Sequence, residues 1–588
     1  MNVIRMAVLV LVFQNAAPQA PPKPPVGNSS IEGVVLKLGS TDPIPGVDLE
    51  LTIQVQPGEL AIPPYTAVSG ADGRFAFRNV GAATYKLVAA RIGGGYTPVE
   101  YGQHGALGRG IAFPIANGEQ KKDVRLAMAP VASITGRIVD SDNRPVGHAA
   151  VMAFTAIYRN GDRIVTMLEL VHSDDRGEYR LFSLTPGRYY IGARLEDLTR
   201  RTVPLGFYPP GRMLAMDRVE SPVVTKRALP TGEFIEETYQ VVYYGGGTNP
   251  DSASPIDVGP GATVTGMDIS LAQARTISRH IRGQVAASTN AALPAGTRVV
   301  AVPQSYASDM LLPTGVADTK GLFDLAGAVP GKYYLAALVP ADSNIRTTPP
   351  PLPQFGVISI EVGERDFEGA SITAVPLFLV TGKVAMENRQ ESDPDLTKLT
   401  VDFTPEPYTQ GFPNFNYAAK VSANGGFSTN QLRQGDFWPA VTNLPAYAYM
   451  KSIRMGARDL LLNPLHVDGQ LEGRIDIVVG TDASTLNGRV TDERQEPALN
   501  VKVVLVPDPP LRRRWDLYKT TATDQFGNFN IRSIAPGDYK IFAWEDVPDN
   551  IWTYADFLKG DETRGKVIRI GSSSGEKTEL TVIAERKR

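Results

Sequence analysis

The stretch Asp524-Gln525-Phe526-Gly527-Asn528-Phe529, closed seven residues later by Pro536-Gly537-Asp538-Tyr539, decides the fold, because the chain writes it five times. Unit one reads Asp72-Gly73-Arg74-Phe75-Ala76-Phe77 and then Tyr85-Lys86-Leu87. Unit two reads Asp175-Arg176-Gly177-Glu178-Tyr179 and Pro186-Gly187-Arg188-Tyr189. Unit three carries Asp318, Gly321, Phe323 and Pro330-Gly331-Lys332-Tyr333. Unit four is worn to Asn424-Gly425-Gly426-Phe427 and Gln434-Gly435-Asp436-Phe437, with the proline lost. Asp can satisfy its own backbone and Gly can take positive φ, so each copy is a tight turn between strands. The turn glycines Gly73, Gly177, Gly321, Gly426 and Gly527 stand roughly 100 to 145 residues apart, the spacing of independent domains.

Around each turn the hydrophobic period is two. Val47-Asp48-Leu49-Glu50-Leu51 and Val501-Lys502-Val503-Val504-Leu505-Val506 put one face in a core. Every unit opens on a strand with an internal glycine: Gly33, Gly136, Gly283, Gly382 and Gly488, each marking a bulge or a close backbone approach. After each core a looser segment ends in one more strand, such as Val124-Arg125-Leu126 or Leu580-Thr581-Val582-Ile583, expected to return to its own sandwich edge. The expectation is an all-β tandem array of about five antiparallel β-sandwiches. Its segments are 30–128, 129–273 with a long tail, 274–376, 377–481 (degenerate) and 482–588.

The quoted Gly-x-Val opening, Asp-x-x-Gly-x-Phe and Pro-Gly-x-Tyr resemble the carboxypeptidase regulatory-like (transthyretin-like or prealbumin-like) domain, related to collagen-adhesin B-type domains. The resemblance covers units one, two, three and five well and unit four in part. It implies a carbohydrate-binding-like sandwich in an exported bacterial repeat protein, used as an accessory or adhesive module rather than a catalytic one.

Composition limits the alternatives. The chain has 588 residues, 59 Lys plus Arg against 62 Asp plus Glu, and no cysteine. That balance gives no field to recruit nucleic acid. The absence of cysteine removes disulfides, thiol nucleophiles and thiolate metal sites. Arg512-Arg513-Arg514, the one basic cluster, is followed by Asp516 and reads as a solvated or locally paired loop. Arg5 before Met6-Ala7-Val8-Leu9-Val10-Leu11-Val12-Phe13 reads as a signal peptide over 1–20, with a Pro-rich linker over 21–29. No later segment reaches the length of a spanning helix. The expected location is exported: periplasmic, cell-surface or extracellular.

Signs of catalysis are thin. His104, His148, His172, His280 and His466 are scattered without metal-ligand spacing. Gly105-Ala106-Leu107-Gly108-Arg109-Gly110 lacks the strand and helix of a dinucleotide fingerprint. Asp140-Ser141-Asp142-Asn143 and Asp174-Asp175 offer oxygen ligands, but these are also good turn residues. Lys37 and Lys383 lack the repeated trio that an isopeptide cross-link needs. The expectation is no enzyme, no cofactor and no metal.

Strand parity supplies the interaction site. Tyr85, Tyr189, Tyr333, Phe437 and Tyr539 share the core face of the last core strand. The next residue, Lys86, Tyr190, Tyr334, Trp438 or Lys540, then points away from the core. Outward aromatic planes stack on sugar rings, so Tyr190, Tyr334, Trp438, Trp515 and Trp552 are the candidate carbohydrate-binding residues. The other reading is that the following tail or the neighbouring unit covers them. Function therefore divides between carbohydrate binding or surface adhesion, with a polysaccharide, cell-surface glycan or protein as partner, and a structural spacer or assembly scaffold without glycan affinity.

Overall fold

The computed structural model describes residues 26–54, 62–103, 110–196, 221–288, 293–304, 311–341, 352–388, 395–406, 415, 417–469 and 471–584. The segment read as a signal peptide, the first part of the stretch read as a linker, His104 and Gly105–Arg109 lie outside them. The protein is a tandem all-β sandwich array. It forms two compact units, one running up to Gln103 and completed by the stretch ending at Pro130, the other from Val131 onward.

The C-terminal sandwich shows the plan. One sheet runs Asn528–Ile534, Ser484–Thr491, Gly575–Thr581; the other runs Lys519–Ala522, Lys502–Pro507, Gly537–Trp544, Lys566–Ile570. The opening strand sits between an antiparallel partner, from the Asp turn, and a parallel one, the returning last strand. This pairing recurs in every copy: Val26–Lys37 with Gln120–Met128, Arg279–Ala287 with Phe367–Pro376, and Phe378–Met386 with Ile475–Gly480. In the second copy the returning strand is split into Thr263–Val264 and Ile269–Ser270, both parallel to Ala132–Val139. The third copy joins its layers into one seven-stranded sheet through Phe355 opposite Val375. The long tail of the second copy supplies Val224–Ala228 and Phe234–Tyr239, which with Arg275–Ile277 at the start of the third segment form a three-stranded sheet that the sequence pattern did not announce.

Two motifs prove to be one device. The glycine of each opening strand lies directly across from the aromatic that follows the Asp turn: Gly33 with Phe75, Gly136 with Tyr179, Gly283 with Phe323, Gly382 with Phe427, Gly488 with Phe529. At Gly488 a Cβ would overlap the Phe529 ring and the Thr578 carbonyl, so the missing side chain is the space the ring occupies. The glycine marks close approach; beside Gly33 and Gly283 the parallel partner also shifts register.

The turn chemistry corrects two assignments. In the second copy the turn aspartate is Asp174 rather than Asp175: its Oδ1 accepts from the backbone N–H of Arg176 and Glu178 at 2.9 and 2.8 Å. Asp318 and Asp524 do the same in their own turns. In the fourth copy the positive-φ glycine is Gly425, not Gly426. Asp140 likewise spends Oδ1 on the backbone N–H of Asp142 and Arg144, as a turn residue does.

The parity of the last core strand holds. Tyr85, Tyr189, Tyr333, Phe437 and Tyr539 are all buried. Each tyrosine hydroxyl donates to the carbonyl four residues back: Gly81, Thr185, Val329 and Ala535 respectively. That satisfies the one polar atom the ring takes into the core. Burial pushes the hydroxyls of Tyr189 and Tyr539 up to about 12.

Candidate functional site

Among the outward residues, Lys86 is exposed, whereas the aromatics are covered. Tyr190 is half-buried against Met152, Phe154 and Tyr243, with the Arg163 guanidinium 5.1 Å from its ring centre. Tyr334 packs on Val300, Val302 and Phe355. Trp438 is 3 % exposed, and Trp552 is also 3 % exposed, stacked into a second apolar cluster with Phe542, Trp544 and Leu558. These rings do leave their sandwich core, as parity requires, but tail segments and neighbouring copies close over them. Trp438 and Trp552 have no ring face left for a sugar.

The cover over Trp438 is the segment read as a solvated or locally paired loop. Arg513 and Arg514 place their guanidinium carbons 5.6 and 5.7 Å from the Trp438 ring centre. The indole N–H donates to Glu406 Oε2 at 2.6 Å, and Arg513 donates to the other oxygen of that carboxylate. Arg514 has a side chain 1 % exposed; it donates to the carbonyls of Leu460 and Pro439 at 3.1 and 3.0 Å and pairs with Asp516 at 2.8 Å. Local pairing with Asp516 was legible in the sequence; the docking onto the fourth sandwich was not. Arg512 makes a two-pronged bond to Glu562, 2.9 Å in each arm, and Lys540 reaches the same carboxylate at 2.6 Å. Chiefly through the Arg512 bonds, the Glu562 carboxyl is held down to about 2.

A third body meets this junction. Within the second compact unit, the hairpin of Ala150–Arg159 and Asp162–His172 turns on Asn160 and Gly161, both at positive φ (52° and 82°). Asn-Gly is the sequence such a two-residue turn requires. Its tip rests on the fifth sandwich: Gly161 N–H donates to Thr553 Oγ1 at 3.2 Å, and the rings of Tyr158 and Tyr554 are 5.6 Å apart. A Cβ on Gly161 would stand 3.1 Å from Trp515 Nε1.

Between the hairpin tip, the end of strand Thr400–Glu406 and the segments around Trp515 and Leu558 lies a cavity of about 530 Å³. Trp515, half-buried, contributes an aromatic wall; Asp162, Glu406 and Asn160 add planar polar groups. Asp162 is exposed, yet desolvation by the atoms around it, and secondarily the charge of Glu406, pushes its carboxyl up. Of the five candidate aromatics, only Trp515 lines this cavity; sequence reading missed Asp162 and Glu406. The Asn160-Gly161 pair was a legible signal for the hairpin, though not for where its tip lands.

Other candidates resolve differently. Both ring nitrogens of His280 lie against carboxylates, Asp324 and Glu236 (the latter at 2.8 Å), in a network with Arg282. Among the described residues no group of three His, Cys, Asp or Glu side chains is arranged to hold a metal, and no helix is long and apolar enough to cross a membrane.

No family model and no curated protein matches the chain. Solved structures similar to it include the minor pilin GBS52 of Streptococcus agalactiae, 12 % identical, covering 41 % of this chain and 95 % of that one at a TM-score of 0.22. Two B repeats of the collagen-binding protein of Staphylococcus aureus are 12 % identical over 71 % of this chain and 93 % of theirs, TM-score 0.14. The major pilin subunit of Bacillus cereus is 10 % identical over 78 % and 100 %, TM-score 0.13.

Proposed function

We propose that this chain is an exported, non-enzymatic modular protein of the carboxypeptidase regulatory-like type, divided into five units as the repeat divides it. It serves in surface adhesion by holding a saccharide. The observation that supports this reading is the cavity at the three-sandwich junction, with the Trp515 ring on one wall and planar hydrogen-bonding side chains on the others. Its volume falls within the range of small-ligand sites. An aromatic face beside carboxylate and amide groups offers a sugar ring both apolar contact and hydrogen bonds. The test is affinity electrophoresis of the protein through a panel of polysaccharides. Retardation that disappears in Trp515→Ala and persists in Trp438→Phe supports the reading.

A second reading, the assembly scaffold, is favoured by the covering of Trp438, Trp552, Tyr190 and Tyr334. Trp438, under Arg513 and Arg514, and Tyr334, in a cluster with Leu377 and Phe415, act as mortar between sandwiches, while Tyr190 and Trp552 are packed within their own copies. Unretarded migration in every polysaccharide would leave this reading in place.

A further inference from the structure

We infer that the contact between the second copy's tail sheet and the third sandwich is a proton-operated clamp, with the charged ring of His280 bridging Glu236 on the one and Asp324 on the other. It is closed in mild acid and slackens in alkali.

His280 stands on Arg279–Ala287, the opening strand of the third sandwich, with its side chain 19 % exposed. Its Nδ1 lies against Asp324, on Leu322–Ala328 of the same sandwich. Its Nε2 is 2.8 Å from Glu236, on Phe234–Tyr239 of the tail sheet. An ionised carboxylate only accepts, so the two contacts need an N–H on each nitrogen, which the imidazolium alone has. Around the ring, Arg282 reaches Asp324, Asp366 and Glu368 at 2.9, 3.1 and 2.6 Å. Arg279 pairs with Glu364 at 3.5 Å and Lys226 with Glu236 at 3.4 Å, while Asp366 accepts the His280 backbone N–H at 3.1 Å. Arg365, on the same loop as Glu364 and Asp366, is exposed. Five carboxylates thus engage three permanent cations, and His280 supplies the fourth positive charge they share. Burial disfavours a charged ring, but the bonds to Asp324 and Glu236 outweigh it and hold His280 above the ordinary histidine range.

Once neutral, the ring has one N–H for two carboxylates. One of them faces a lone pair, and the bond that remains has lost its charge assistance. The tail sheet then rests on contacts that do not titrate: the Ser278 N–H on the Glu236 carbonyl at 2.8 Å, and Pro222 close against Gly327. A raised histidine stabilises the folded arrangement fully below pH 6.5, and that contribution is lost as pH rises through the folded value.

The experiment is hydrogen exchange of the full chain at pH 6 and pH 9, with rates corrected for intrinsic exchange. Protection across Val224–Ala228 and Phe234–Tyr239 should fall about three- to fivefold at the higher pH, the worth of a partly exposed charged contact. Gly331–Val339, an inner strand of the third sandwich, should keep its protection. Glu236→Gln separates the proton from the packing. Its amide can donate to a neutral ring that itself donates to Asp324, so the fall should disappear and protection at pH 9 should exceed that of wild type. His280→Gln, which cannot titrate, should also show no fall. No fall in wild type, an equal fall in Gly331–Val339, or a fall that survives in either variant overturns the clamp.

Discussion

The buried guanidinium of Arg514 donates to the carbonyl of Pro439, 75 residues earlier in the chain, at 3.0 Å. One side chain thus belongs covalently to the fifth sandwich and, in its hydrogen bonds, to the fourth. Removing it would leave the buried Pro439 and Leu460 carbonyls without this donor, and the partly exposed Asp516 without its partner. Arg514→Ala should destabilise the protein by about 3 kcal/mol. Arg514→Lys should recover little of this, because an ammonium cannot serve three acceptors in one plane. Urea denaturation of the two variants beside wild type checks both statements.

Trp438 and Trp515 should separate structure from binding. Trp438→Ala removes a buried ring and frees Glu406 from its indole donor, a loss of about 3–5 kcal/mol. Trp515 is only half-buried, so Trp515→Ala should cost less stability and abolish polysaccharide retardation. Thermal melts run beside affinity gels give the comparison.

Acid should loosen the fifth sandwich first. Glu562 is held down to about 2 in the folded chain against an ordinary 4.5, chiefly by Arg512. A depressed carboxyl stabilises the fold above pH 4.5, and that stabilisation is lost as pH falls toward 2. The group is partly exposed, so the effect is about 1–2 kcal/mol after screening. Glu562→Gln should be less stable than wild type at neutral pH and converge on it near pH 2. Urea midpoints measured across that range report the difference.

Gly488→Ala should destabilise the C-terminal sandwich by about 1–3 kcal/mol, since the new methyl meets both the Phe529 ring and the Thr578 carbonyl. Adding Phe529→Leu should recover only part of the loss, because the carbonyl does not move with the ring. Equilibrium denaturation of the single and double variants measures the recovery.

What the sequence revealed and what it hid follow the range of each interaction. The glycine, the Asp turn and the Tyr two residues past the second turn act within one sandwich, and their spacing announced the repeat. Even so, the partner of Gly488 is Phe529, 41 positions away, and only strand register pairs them. Asp174 was passed over for its neighbour because either aspartate fits a turn by composition, whereas hydrogen bonding to Glu178 selects one. Parity correctly sent Trp438 away from its core, but parity cannot say what lies outside. Its cover is Arg513 and Arg514, from another sandwich. Likewise, nothing local in Asn160-Gly161 shows that the hairpin tip meets Thr553.

The cavity is assembled from three sandwiches, and the chain's lack of cysteine makes that assembly directly measurable. Asn160→Cys with Ala555→Cys places one spin label on the hairpin tip of the second sandwich and one on the fifth, both at the cavity lining. Pulsed electron resonance should return one narrow distribution at short distance, broadened when Gly161→Ala disturbs the hairpin tip. A broad distribution at long distance in the unperturbed pair would mean that the second and fifth sandwiches do not meet, and would contradict the site.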